Sequence, residues 1–132
     1  MGRQGPCGSK VSLQWVLRRS NGYYVDGSVK MVSAQSGATV KASNFDETDN
    51  FVFTVGDGKA MSGIDQGVRG MKQGGVRRLV LPLKAAYSLP LERSGGPVPA
   101  DFGPRRQIER ELQKDPAVQN YFVFEVEATR VR

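Results

Sequence analysis

Phe51-Val-Phe-Thr-Val-Gly56, followed by Met61-Ser-Gly-Ile-Asp-Gln-Gly-Val-Arg-Gly-Met71 and then Gly74-Gly-Val-Arg-Arg-Leu-Val-Leu-Pro-Leu-Lys-Ala-Ala-Tyr87, is the stretch that decides the fold. Phe51, Phe53 and Val55 alternate as one face of a half-buried strand. Ile64, Val68 and Met71 then fall at i, i+4 and i+7, which predicts a short helix near Ser62 to Met71 with these three side chains inward. Leu79, Leu81 and Leu83 return to alternation and predict a second strand. A strand, one short helix and another strand in so few residues describe an α+β fold: a twisted antiparallel sheet half-wrapped around a single helix.

Working outward, Val11, Leu13, Trp15 and Leu17 alternate inward against Ser12, Gln14, Val16 and Arg18, and Ser20-Asn-Gly22 is a strong turn signal. Phe122-Val-Phe-Glu-Val-Glu127 reads as a closing strand. Residues 1–9, rich in Gly, read as a flexible tail before a single domain over 10–132. Two stretches interrupt the pattern. Residues 30–50 are polar, with Asp46, Glu47 and Asp49 as an acidic patch and room for an irregular edge strand around Ala38 to Lys41. Residues 88–120 pass through Leu89-Pro90 and Gly95-Gly-Pro-Val-Pro99 to Pro104-Arg-Arg-Gln-Ile-Glu-Arg-Glu-Leu-Gln-Lys114. Proline in a first turn, with Ile108 and Leu112 four apart, predicts an amphipathic helix that Asp115-Pro116 ends.

At 132 residues the chain is one domain's length. Its 39% hydrophobic and 24% charged content are those of an ordinary globular protein, and no apolar run approaches the roughly 20 residues of a membrane span. The N-terminus lacks the apolar core of a signal peptide and the length of a transit peptide, so an organelle protein would have had its targeting segment removed or left out. Cys7 is the only cysteine and histidine is absent, so no intrachain disulfide or zinc ligand set can be proposed. Any enzymatic chemistry must work without a histidine base or a metal, and no cofactor is called for. The net charge of +6 comes as scattered pairs such as Arg18-Arg19, Arg77-Arg78 and Arg105-Arg106. A nucleic-acid binder would interleave a basic stripe with exposed stacking aromatics, whereas most aromatics here fall on core-facing strand positions. Solvated surface charge, or contact with an acidic protein or membrane surface, fits better.

Read residue by residue, the order strand, glycine, helix, Gly-Gly, Arg-Arg, strand, Pro, Ala-Tyr from Phe51 to Tyr87 resembles the FKBP-type peptidyl-prolyl cis-trans isomerases. Val11 to Leu17 looks like the family's early sheet strand, Val25-Asp26-Gly-Ser28 like the strand leading to its pocket aspartate, and Phe122 to Glu127 like its closing strand. The Asn-Gly turn and Gly96-Pro-Val-Pro-Ala-Asp-Phe-Gly-Pro-Arg-Arg106 look most like the divergent chloroplast, thylakoid-lumen branch.

The resemblance implies a protein-folding enzyme acting on proline-containing proteins. Rotation about an X-Pro bond crosses a barrier of about 18–20 kcal/mol set by amide resonance. A dry aromatic pocket favours the twisted amide, and a donor on the substrate carbonyl holds one side while the other turns. Carried over by motif, Phe51 and Phe53 form one wall, Phe124 the opposite wall, and Tyr87 offers its hydroxyl to a substrate carbonyl. The Met61 N–H is the second donor and Asp26 the aspartate beside the pocket. Trp15 stands in place of a tyrosine, Ile64 in place of a tryptophan floor, Val25 in place of a phenylalanine, and Lys59-Ala60 in place of an acidic-aliphatic pair. Alternation alone would make Phe53, Phe122 and Val126 core, and Asp26 an ordinary turn residue. Fewer rings mean less shape and buried area, which leaves three readings open: a weak isomerase, a catalytically depleted assembly subunit of a larger, photosynthetic complex, and, distantly, a polyanion binder. The second insertion reads first as a packed excursion that covers the sheet end and otherwise as a docking element, for which Arg105, Arg106, Arg110 and Lys114 are the candidate partner contacts.

Overall fold

The computed structural model describes residues 8–28, 50–114 and 120–132. Five strands, β1 (Lys10–Arg19), β2 (Tyr24–Gly27), β3 (Phe51–Thr54), β4 (Val76–Pro82) and β5 (Tyr121–Val131), form one antiparallel sheet in the order β2-β1-β5-β4. β5 pairs with β1 from Val11 to Arg19, filling one of its edges. The other edge is shared: β2 pairs with Val16 to Arg18, and β3 with Lys10 to Leu13. The predicted turn between β1 and β2 forms, with Gly22 at φ +90° donating to the Arg19 carbonyl at 2.8 Å. That left-handed backbone suits glycine because a Cβ would crowd it.

Helix α1 (Ser62–Gly67) lies between β3 and β4, and Ile64, Val68 and Met71 are all buried. The helix is shorter than the apolar spacing suggested, since Val68 caps its C-terminus and the chain turns before Met71. Its end is held by Arg77 of β4, whose guanidinium donates to the carbonyls of Gly67 and Arg69 at 2.8 Å each. One half of the Arg77-Arg78 pair is therefore a structural clasp. Leu79 and Leu81 continue the core, and Leu83, expected to extend the strand, instead opens a 3₁₀ turn over Leu83–Ala85.

Two further sequence expectations change. Alternation places Val16 on the solvent face of β1, yet it is 8% exposed, so both faces are covered there. Gly8 and Ser9, assigned to the tail, belong to the sheet edge: the Gly8 N–H donates to the Val55 carbonyl, the Val55 N–H donates to Ser9, and Ser9 is fully buried. The second insertion contains helix α2 (Phe102–Leu112), which starts two residues before Pro104 and ends before Lys114. Ile108 is 0% exposed and joins the same core as Leu91, while α2 rests against β2. The expected amphipathic helix therefore forms, and the insertion is the packed excursion, part of the domain. The edge strand expected around Ala38 to Lys41, the rest of the 30–50 stretch and Cys7 lie outside the described residues. Among the described residues no helix is long and apolar enough to cross a membrane.

Candidate active site

The sheet register assembles an aromatic cluster from residues far apart in sequence. Leu17 lies opposite Phe124 and Trp15 opposite Val126, so Trp15 and Phe124 are diagonal neighbours on the core face. Their rings meet at 6.2 Å and 50°. β4 brings Leu79 opposite Phe124 and Leu81 opposite Phe122, and the chain leaving β4 folds Tyr87 back over both. Tyr87 packs edge-on against Phe122 at 5.6 Å and tilted against Phe124 at 6.3 Å, both favourable aromatic geometries. On β3, Phe51 stacks on Phe53 at 5.3 Å. Ile64, fully buried, comes in from α1, and Val25 from β2. Phe53, Phe122 and Phe124 are covered almost completely, whereas Phe51 is only partly buried.

Two donors converge on this cluster, and both are engaged. The Tyr87 hydroxyl donates to the Pro97 carbonyl at 2.5 Å, and the Met61 N–H donates to the Gly96 carbonyl at 2.9 Å. The Gly96 N–H in turn donates to the Lys59 carbonyl at 2.9 Å, and Ala60 pairs with Gly96 as a parallel bridge. Residues 95–97 thus lie as an added strand along the approach to α1, with Gly96 and Pro97 buried. Only glycine fits this approach: a Cβ on Gly96 would sit 2.5 Å from Phe51 Cε1, and one on Gly95 would sit 2.6 Å from the Met61 nitrogen.

The loop that presents Met61 is fixed by two aspartates. Asp57 accepts from the N–H groups of Thr54 and Lys59 at 3.0 and 2.8 Å. These bonds hold its carboxyl below the usual range. Asp65, on α1, accepts from the Gly56 N–H at 2.9 Å and pairs with Arg69 at 3.0 Å. At the cluster itself, burial pushes the Tyr87 phenol well above its ordinary pKa, and the charge of Asp26 adds to the shift. Tyr87 therefore remains a protonated donor at neutral pH. Asp26 is itself buried on β2, opposite Leu17.

A family model described as FKBP-type peptidyl-prolyl cis-trans isomerase matches residues 7–128. This chain belongs to that family. It is 32% identical over 130 residues to the chloroplastic peptidyl-prolyl cis-trans isomerase FKBP16-1 of Arabidopsis thaliana, covering 98% of this chain and 53% of the relative. To the chloroplastic FKBP19 of the same plant it is 24% identical over 124 residues, covering 94% of this chain and 46% of the relative. The chain thus spans about half the length of these curated relatives. A crystal structure of a peptidyl-prolyl cis-trans isomerase from Pseudomonas syringae pv. tomato superposes with a TM-score of 0.52 at 18% identity, over 99% of this chain and 68% of that one, which bears on the fold alone.

Within this FKBP-type frame, the residues nominated from sequence, Trp15, Val25, Phe53, Ala60, Met61, Ile64, Tyr87 and Phe124, all belong to the domain's one hydrophobic core, with the half-buried Phe51 packed against it and Asp26 near enough to Tyr87 for its charge to act on the phenol. The residues sequence reasoning missed are Gly95, Gly96 and Pro97. Their signal was available as a Gly-Gly-Pro run, but such a run is also an ordinary loop. The candidate partner contacts lie apart, on α2 and, for Lys114, just beyond its end. Arg105 pairs with Glu92 at 2.8 Å, Arg106 with Glu109 at 3.6 Å, and Lys114 with the buried Glu111 at 2.5 Å, while Arg110 is exposed.

Proposed function

We propose that this domain binds proline-containing protein segments and accelerates cis–trans rotation about their X-Pro bonds. The observation that carries the reading is the pairing of donors: Tyr87 and the Met61 N–H receive the two carbonyls that flank one prolyl residue, Gly96 and Pro97. A site able to hold both carbonyls beside aromatic rings suits an amide that must lose about 18–20 kcal/mol of planar preference on the way to its transition state. As the C–N bond twists it becomes less polar, so apolar walls from Phe51 and Phe124 favour the twisted form over the planar one. Tyr87, kept neutral by burial, fixes one carbonyl while the far side of the bond turns; no proton moves and no covalent bond forms. Asp26 strengthens that assignment by opposing ionisation of the phenol. Trp15, Val25, Phe53, Ala60, Met61 and Ile64 shape the surroundings.

Ile64 in place of a tryptophan and Val25 in place of a phenylalanine reduce the ring area of the site, so the expected rate is modest. The test is acceleration of isomerisation on a panel of short X-Pro peptides; absence of any acceleration overturns the enzymatic reading. The plant relatives, both chloroplastic by name, support a chloroplast location, and we extend it to the thylakoid lumen. There the basic side chains of α2 would face an acidic photosynthetic membrane complex. Fractionation of chloroplasts with an antibody to this chain tests the location directly.

A further inference from the structure

The donors assigned above to a substrate are already paired with the protein's own chain. We infer that the Gly95–Pro97 segment is an internal occupant of the peptide site, so that an external X-Pro segment binds by displacing it. The inference rests on the proposed reading of the site and goes beyond it by stating what fills the site at rest and what class of ligand competes: an extended segment with glycine before proline.

Four features point the same way. The segment makes backbone bonds of the kind an added peptide strand makes, Gly96 N–H to the Lys59 carbonyl and Met61 N–H to the Gly96 carbonyl, each at 2.9 Å. Its next carbonyl, on Pro97, takes the Tyr87 hydroxyl, a buried bond, so that bound peptide and bound loop would need the same two donors. Its glycines are required by contact, since a Cβ on Gly96 would strike the Phe51 ring and one on Gly95 the Met61 backbone. Its ends are anchored in the core by Leu91 on one side and Ile108 on the other, 2% and 0% exposed. A tethered occupant of this kind competes at high effective concentration.

The perturbation is Gly95→Val, whose branched side chain would collide with the immovable backbone of Ala60 and Met61 and changes no wall or donor of the site. The probe is a capped synthetic peptide of residues 93–101, RSGGPVPAD, supplied to the folded parent and variant. Peptide affinity, hydrogen exchange of the residue-96 amide and isomerisation of the peptide are read on the same samples by NMR. An occupant present in nine molecules of ten lowers apparent affinity about tenfold, so the variant should lose protection at residue 96 and bind the peptide at least about tenfold more tightly. Equal affinity in parent and variant, with that protection lost, overturns the inference, as does absence of binding to either. Isomerase failure is separately visible: tighter binding with no turnover in either protein upholds the occupant and sinks the enzymatic reading, while equal binding and equal turnover do the reverse. Should Gly95→Val not fold, Gly95→Ala takes its place, since its single Cβ meets the same Ala60 and Met61 backbone with less bulk.

Discussion

Replacing Tyr87 by Phe removes one oxygen and leaves the ring, so its edge-on contact with Phe122 at 5.6 Å and its contact with Phe124 survive. What is lost is the bond to the buried Pro97 carbonyl. Leaving a buried acceptor without its donor costs about 1–3 kcal/mol; the lower end applies if the segment lifts enough for water to reach the carbonyl. In a domain of this size about 2 kcal/mol lowers the melting temperature by roughly 5–10 °C. Urea denaturation of parent and variant, with the slope compared, measures the difference. Alkaline pH supplies a second reading. The folded-state pKa of Tyr87 lies above its ordinary value of 10.0, so above that pH the folded state holds a proton the unfolded chain has released. Stability from this group is fully present below pH 10 and falls as pH rises toward the raised folded value. Phe cannot titrate, so the gap between parent and variant should narrow above pH 10. A destabilisation under about 0.5 kcal/mol, below the span of an ordinary hydrogen bond, together with a gap that ignores pH would refute the role given to this hydroxyl.

Ile108→Ala on α2 should destabilise the whole domain by about 2–5 kcal/mol, the cost of emptying a closed core position; a value near zero in the same urea assay would return the second insertion to the surface. Phe51→Ala should lower isomerisation of short peptides more than Tyr87→Phe does, because it removes a wall where the other removes one hydrogen bond; turnover equal to the parent at unchanged folding would rule out this wall. Reversing Arg105 and Arg106 to Glu should weaken capture by an acidic complex in a salt-dependent way and hardly change peptide turnover. The opposite pattern, intact association with lost turnover, would move these arginines into the active site.

The cluster was readable because its members sit on elements whose periods are strong. Phe51 with Phe53, Leu79 with Leu81, and Ile64 with Val68 each report a buried face through spacing alone, and side chains on one sheet face must then meet. Alternation misplaces Val16 because it speaks for one face and is silent on what covers the other. The role of Arg77 was equally hidden. A basic pair on a strand looks solvated until the end of α1 is seen to place two carbonyls within its reach.

Most of the strands, the Asn21-Gly22 turn, the family and the identity of the core side chains are legible in the amino acids alone, since apolar periodicity and turn chemistry are local properties written residue by residue. What those side chains face depends on contacts between distant segments. Gly95, Gly96 and Pro97 lie between eight and ten residues beyond Tyr87 in a run that reads as loop, yet their carbonyls and N–H groups take up Tyr87, Met61 and Lys59. Backbone hydrogen bonds of that kind depend on carbonyl and amide groups that every residue carries, so they leave no periodic mark, and only the anchoring of the insertion through Leu91 and Ile108 brings them to the site.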